Sequence, residues 1–322
     1  MSIEQKPLVK NIKRSPSESF SFIHFMKIVF KGISQVMLVD NTGAGIIIFF
    51  AIAIASIPVA VTMLLAVTLG TVIAFIGQAD RDVINKGLFG FNPALISIAL
   101  MIFLDGSYDW IIAIIAGAIA SVSTAAFIHI FKGIDIPYLT FPFISLTWII
   151  LLATYHLPIL TIHPTLEPTI VSEWSPISGG SFEVFSAFTL GVSQVFFIEH
   201  VLTGILIVIA MFWVGWQYGL YTMIASVIGF LTAYFIGGDV DLISTGFFGY
   251  NAVLTLIAVS LVFKNNKNKY AFATGIFGCM LTVFVTLSMS TFLQPYGLPV
   301  LTIAFVLTTW LLLAARKVLP NI

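Results

Sequence analysis

Charge is scarce in this chain: only 9% of its 322 residues are Asp, Glu, Lys or Arg, and the 14 basic and 14 acidic side chains cancel. A soluble domain carries roughly a quarter charged residues, and a nucleic-acid surface needs a basic excess, so both classes are excluded. Cysteine is nearly absent too. Cys279 stands alone in an apolar run, which excludes an intramolecular disulfide and a thiolate metal site and leaves packing as its expected role. The five histidines, His24, His129, His156, His163 and His200, show no HExxH spacing, and neither Gly-Lys-Ser/Thr nor Gly-x-Ser-x-Gly occurs. An enzyme needs a nucleophile beside a base, or a metal cluster, so no catalytic residue, metal or cofactor is expected. Residues 1–19 contain Lys6, Lys10, Lys13 and Arg14 without an apolar core. They lack the pattern of a signal peptide and read as a cytoplasmic tail.

What the chain does contain is apolar surface: 59% hydrophobic residues, 30 of them phenylalanine. It reads as an all-α integral membrane protein. Residues 20–40 interrupt apolar positions with His24, Lys27, Lys31, Gln35 and Asp40, which suits a tilted or re-entrant segment better than a span. Apolar runs follow at about 43–57, 59–76, 88–104, 110–131 and 138–155, against the roughly 20 residues a spanning helix needs. The stretch from His156 to Phe185 holds His163, Glu167, Glu173 and Trp174 but no Lys or Arg. The expected organisation is a first repeat at 20–155, an extracellular or periplasmic linker at 156–185, a second repeat at 186–315 and a cytoplasmic tail at 316–322.

The second half repeats the first. Gly32-Ile33-Ser34-Gln35-Val36 returns 159 residues later as Gly191-Val192-Ser193-Gln194-Val195. The same offset carries Asp80 and Asp82 onto Asp239 and Asp241, and GLFGFN at Gly87 onto GFFGYN at Gly246. After a three-residue slip, Thr140 and Trp148 land on Thr302 and Trp310. A register held over polar residues marks a duplication. Charge gives its handedness. Arg81 and Lys86 occupy a loop whose copy has no basic residue, Asp105–Asp109 has none where its copy has three lysines, and Lys132 has no counterpart in Thr291–Tyr296. Loops that swap charge face opposite sides, so each half crosses an odd number of times. Ten spanning helices in two inverted five-helix repeats, each with a tilted half-helix, put all 14 basic residues on the cytoplasmic side. Broken helices in inverted repeats point to transport at the repeat interface.

The polar residues suggest the cargo. Gln35 and Gln194 each offer one acceptor and two donors and suit a small neutral molecule that also does both. Leu38 and Phe91 lie three and 56 residues beyond the first glutamine, and Phe197 and Tyr250 the same distances beyond the second; paired flat apolar side chains would pass a planar solute. Thr140 and Thr302, in IPYLTFPF and LPVLTIAF, are expected to line a column of oxygen acceptors with the carbonyls freed near Pro137, Pro142 and Pro299. Urea, with four N–H groups and one carbonyl on a flat frame, fits; so do short amides and, less well, ammonia. Asp40 and Glu199, beside Asn41 and His200, are either pore-mouth modulators or caps of the next helix. A pH-linked or broader amide/ammonia carrier using Glu199 and His200 is the alternative.

IPYLTFPF and LPVLTIAF, with SQV before Asp40-Asn41 and with GLFGFN and GFFGYN, resemble the repeated signatures of the urea transporter family, from about Phe30 to Trp310. The resemblance implies a homotrimer of multi-pass protomers in a bacterial inner membrane, each with a central pore that passes urea down its gradient. It would place Thr140 and Thr302 in the constricted middle, Gln35 and Gln194 at amide sites in the two mouths, and Leu38, Phe91, Phe197 and Tyr250 in the flanking slots. This chain departs from the family at Asp40-Asn41-Thr42 and Glu199-His200-Val201, at Leu38, at Ile136 and at Ala304.

Overall fold

A computed structural model describes residues 21–157, 160–166, 168–169 and 183–322. The tail lysines and Arg14, and Glu167, Glu173 and Trp174 of the linker, lie outside the described residues.

The chain is helical, and its elements come in two series. In the first, α1 (Phe22–Ser34) runs into a 3₁₀ turn (Gln35–Met37), followed by α2 (Thr42–Ala55), α3 (Ile57–Ile76), α4 (Arg81–Asn85), α5 (Phe91–Phe103), α6 (Asp109–Phe131) and α7 (Phe141–Thr154). In the second, α8 (Val184–Ser193) runs into a 3₁₀ turn (Gln194–Phe196), followed by α9 (Val201–Val214), α10 (Trp216–Phe235), α11 (Val240–Ser244), α12 (Gly249–Ile257) with a π turn (Ala258–Val262), α13 (Ala271–Leu293) and α14 (Ile303–Ala315). A two-stranded antiparallel pair, β1 (Leu104–Asp105) and β2 (Thr161–Ile162), ties the linker to the end of α5. Helices α9, α10 and α11 begin and end 159 residues after α2, α3 and α4, and α13 follows α6 by 162. The slip lies in the loop after α5, which is longer in its copy.

Backbone conformation carries the same repeat. Every described residue with positive φ has a partner at one of those offsets: Leu38 with Phe197, Gln78 with Gly237, Gly87 with Gly246, Asp135 with Gly297, and Leu139 with Leu301. Packing repeats as well. One small core joins Ile28, Ala74, Ile84 and Phe89, and another joins their counterparts Ala187, Ala233, Ile243 and Phe248. The main core draws on both halves, because α2 packs on its counterpart α9 and α7 on α14.

Among the described residues four helices, α3, α6, α10 and α13, are long and apolar enough to cross a membrane, and the bent pairs α1–α2 and α8–α9 bring the number to six. Large apolar side chains such as Phe50, Ile115, Trp213 and Phe284 face outward, as in a protein whose solvent is lipid. The chain is a multi-pass, all-α membrane protein. The sequence runs read as spans at α2, α5 and α7 are shorter than expected. Each has 13 or 14 residues and reaches about 21 Å, against a hydrocarbon thickness of about 30 Å. Their starts explain this: Asn41 caps α2, α5 follows Gly90, and α7 follows the left-handed Leu139.

Candidate site between the two halves

Two glycine-rich motifs that lie far apart in sequence meet here. Gly32, in GISQV, backs onto Gly87 and Gly90 of GLFGFN so closely that a Cβ on Gly87 would sit 2.4 Å from the Gly32 nitrogen. Gly191 and Gly246 repeat the contact at 2.2 Å. Both Gly87 and Gly246 have positive φ, so no other residue serves as well there. The approach delivers each glutamine to a backbone carbonyl: Gln35 Nε2 donates to Lys86 O at 2.9 Å and Gln194 Nε2 to Thr245 O at 3.3 Å. Neither amide oxygen has a hydrogen-bond partner among the described residues, so each glutamine keeps an acceptor.

Beyond each glutamine the chain turns sharply. Leu38 (φ 60°) and Phe197 (φ 57°) are left-handed, a costly conformation for bulky residues, and the helices on either side meet at 75°. Phe197 is thereby set among aromatic rings, 5.8 Å from Phe143, 6.3 Å from Phe103 and 6.4 Å from Tyr250. In the other half Phe91 stacks on Tyr138 at 6.0 Å with 20° between the planes, while Leu38 contributes an aliphatic wall.

At the centre, Thr140 and Thr302, 1% and 0% exposed, bond to each other: their Oγ1 atoms are 2.7 Å apart. Each begins its helix, α7 or α14. One hydroxyl proton is used between them, so the pair keeps one donor and several lone pairs. The proline carbonyls are less free than the sequence suggests. Trp148 Nε1 donates to Pro299 O at 2.9 Å and Trp310 Nε1 to Pro137 O at 2.7 Å, so each half's tryptophan satisfies the other half's break. Ser145 Oγ donates to Pro142 O. The remaining oxygens differ between halves. Leu301 O accepts from Tyr250 Oη at 2.7 Å and Asn251 Nδ2 at 3.3 Å, and Asn251 Oδ1 accepts from Phe305 N. Phe91 has no hydroxyl to give, and Asn92 Nδ2 turns to Thr124 instead. Asn92 Oδ1 and Tyr138 Oη are left buried without a partner among the described residues, a situation that polar groups normally avoid unless water or a ligand completes them.

Asp40 and Glu199 do not cap the helices that follow them; their neighbours do. Asn41 Oδ1 accepts from Ala44 N and the His200 ring sits at Thr203 N. Asp40, exposed, pairs with Lys31 at 2.8 Å. Glu199, also exposed, has Leu190 where Lys31 would be, and its Oε1 accepts from Gln194 Nε2 at 3.0 Å. Glu199 and His200 therefore point to different partners, and no proton pair between them is present. Of the residues in the site, Asn92, Asn251 and Tyr138 escape a reading of the sequence. The asparagines were visible as the last letters of GLFGFN and GFFGYN, but Tyr138 has Val300 as its counterpart and carries no repeat signal.

The profile of the urea transporter family matches residues 26–317. This chain belongs to the urea transporter family. It is 26% identical over 311 residues to urea transporter 1 of Rattus norvegicus, a match covering 93% of this chain and 79% of the rat protein. Urea transporter 1 of Ovis aries is 26% identical over 313 residues and that of Mus musculus 27% over 312, with the same coverage.

Proposed function

We propose that the chain conducts urea passively along a path between its two halves, past Gln35, Leu38 and Phe91, then Thr140 and Thr302, then Phe197, Tyr250 and Gln194. The observation that carries this reading is the Thr140–Thr302 hydroxyl pair, made by one residue from each half and buried where the two halves meet. A neutral solute rich in N–H groups suits a series of acceptors without fixed charge, and several weak sites let it leave as readily as it arrives. The flat aromatic and aliphatic walls between this pair and the mouths suit a planar solute. Asp40, Glu199 and His200 stand at the mouths, outside the narrow part, and modulate approach.

In this reading the half-length helices and bent pairs complete ten crossings in two inverted five-helix repeats, with both termini cytoplasmic, in a bacterial inner membrane. Contacts between counterparts, α2 on α9 and α7 on α14, are what a two-fold axis in the membrane plane would produce. The protomers are taken to form a homotrimer, each with its own path. Stopped-flow light scattering of proteoliposomes tests the path. Gln35→Ala and Gln194→Ala are each expected to slow urea flux while leaving the protein folded, and wild-type flux in both would remove the mouths from the account. Chemical cross-linking in native membranes tests the trimer.

A further inference from the structure

The duplication places two cavities at corresponding positions in the two halves, and they have been filled differently. The first, of about 320 Å³, is lined by Thr154, Tyr155 and linker residues that include Leu160, His163 and Leu166. There β2 pairs with Leu104 and Asp105, so the linker covers the end of α5. The second, of about 370 Å³, is lined by Arg316, Lys317 and Val262 to Asn265, which are the counterparts of Thr154, Tyr155 and the end of α5. No strand covers it among the described residues, and it carries three cations instead.

Their bonding is unusual. Arg316 is 8% exposed, and its guanidinium donates only to main-chain oxygens: Nη2 to Val259 O at 2.8 Å, Nη1 to Phe263 O at 3.0 Å and Nε to Ile322 O at 2.8 Å. The first two bonds cap the π turn after α12, and the helix end supplies some negative potential. Two of the five N–H groups remain. Lys317 Nζ donates to Ile134 O, closing the loop before the first proline string over the cavity, and Lys264 has no bonded partner among the described residues. Asp135 also lines the cavity, yet the ion pair found among the described residues is Lys31–Asp40, elsewhere. Three cations therefore line a cavity of ligand size in which Asp135 is the one acidic side chain, and two of those cations, Lys264 and Lys317, are exposed and able to meet a ligand.

We propose that this cavity binds a phosphate-type oxyanion, held by Lys264, Lys317 and the free N–H groups of Arg316. The position is independent of the urea path, and the inference stands or falls separately from it. The shared chemistry is a phosphate oxygen set with net negative charge, from a free ion or from the headgroup of an anionic phospholipid. The apolar lining of Val262, Phe263 and Leu313 suits the ester side of a headgroup. A basic pocket between helices on the lysine-rich face is the setting in which such headgroups bind.

The test is thermal unfolding of the purified full chain in neutral detergent at constant ionic strength. The added probes are inorganic phosphate, short-chain phosphatidylglycerol and short-chain phosphatidylcholine. The proposal expects the unfolding midpoint to rise saturably with phosphatidylglycerol, and not with phosphatidylcholine. A rise with phosphate as well identifies free anion as sufficient; a rise with the lipid alone identifies the headgroup. Lys264→Gln, which breaks no bond seen here, is expected to weaken the response at least threefold, with urea flux and the ligand-free midpoint unchanged. Lys264→Arg should restore it. No rise with either anion, equal rises with both lipids, or a full response in Lys264→Gln would overturn the proposal and leave these cations to orient the chain only.

Discussion

Replacing Thr140 by valine removes a hydroxyl and keeps the shape. The Thr302 hydroxyl, 2.7 Å away and fully buried, would lose its partner. A buried polar group left unmatched costs about 1–3 kcal/mol, and bonds between helices in membranes average nearer 0.6 kcal/mol. About 1 kcal/mol is therefore expected for Thr140→Val, and the same for Thr302→Val. Replacing both removes donor and acceptor together, which is nearly neutral in stability, so the double variant should be more stable than either single one. Transport should follow the opposite order. Each variant takes one or both hydroxyls from the solute, and the loss of one hydrogen bond of about 1 kcal/mol slows passage about fivefold, with the double variant slowest. Unfolding in mild detergent and urea flux in proteoliposomes, measured on the same four proteins, separate the two effects. Flux that recovers with stability in the double variant would refute the reasoning, because the hydroxyls would then be structural only.

Other residues give sharp expectations. Trp148→Phe and Trp310→Phe each orphan one proline carbonyl of the opposite half; each should lower stability by about 1 kcal/mol, read by unfolding, and unequal losses would argue against the crossed arrangement. Gly87→Ala places a Cβ 2.4 Å from the Gly32 nitrogen in a left-handed residue; it should lower both yield and flux, and a well-folded variant with normal flux would contradict the glycine contact. Among the described residues Glu199 has no cation paired with it, whereas Asp40 has Lys31. Guanidinium, a planar cation shaped like urea, should therefore slow urea flux from the Glu199 side more than from the other, and Glu199→Gln should abolish the difference. Lys31→Met should create sensitivity on the Asp40 side. Equal inhibition from both sides in wild type would dismiss the asymmetry.

The duplication, the broken segments and the glutamine, threonine and aromatic positions were legible because polar residues keep register where apolar ones drift. Gln35 and Gln194, Thr140 and Thr302, and even the paired tryptophans could be found by offset alone. What those tryptophans do was hidden, since a bond from Trp148 to Pro299 crosses between halves that the sequence keeps 151 residues apart. Helix length was misread for a related reason. Hydrophobicity runs unbroken across Leu139-Thr140-Phe141, while the positive φ of Leu139 stops the helix without any glycine to announce it. The differences between the halves, such as Tyr138 beside Phe91 or the burial of Arg316, lie beyond any reading that relies on repetition.

The central claim is passive passage of urea, and stopped-flow swelling of proteoliposomes in an inward urea gradient tests it most directly. The account predicts urea uptake well above that of protein-free vesicles, unaltered by an imposed pH or sodium gradient and lowered in Thr140→Val/Thr302→Val. Uptake no faster than in protein-free vesicles, or uptake that occurs only with an imposed ion gradient, would contradict it.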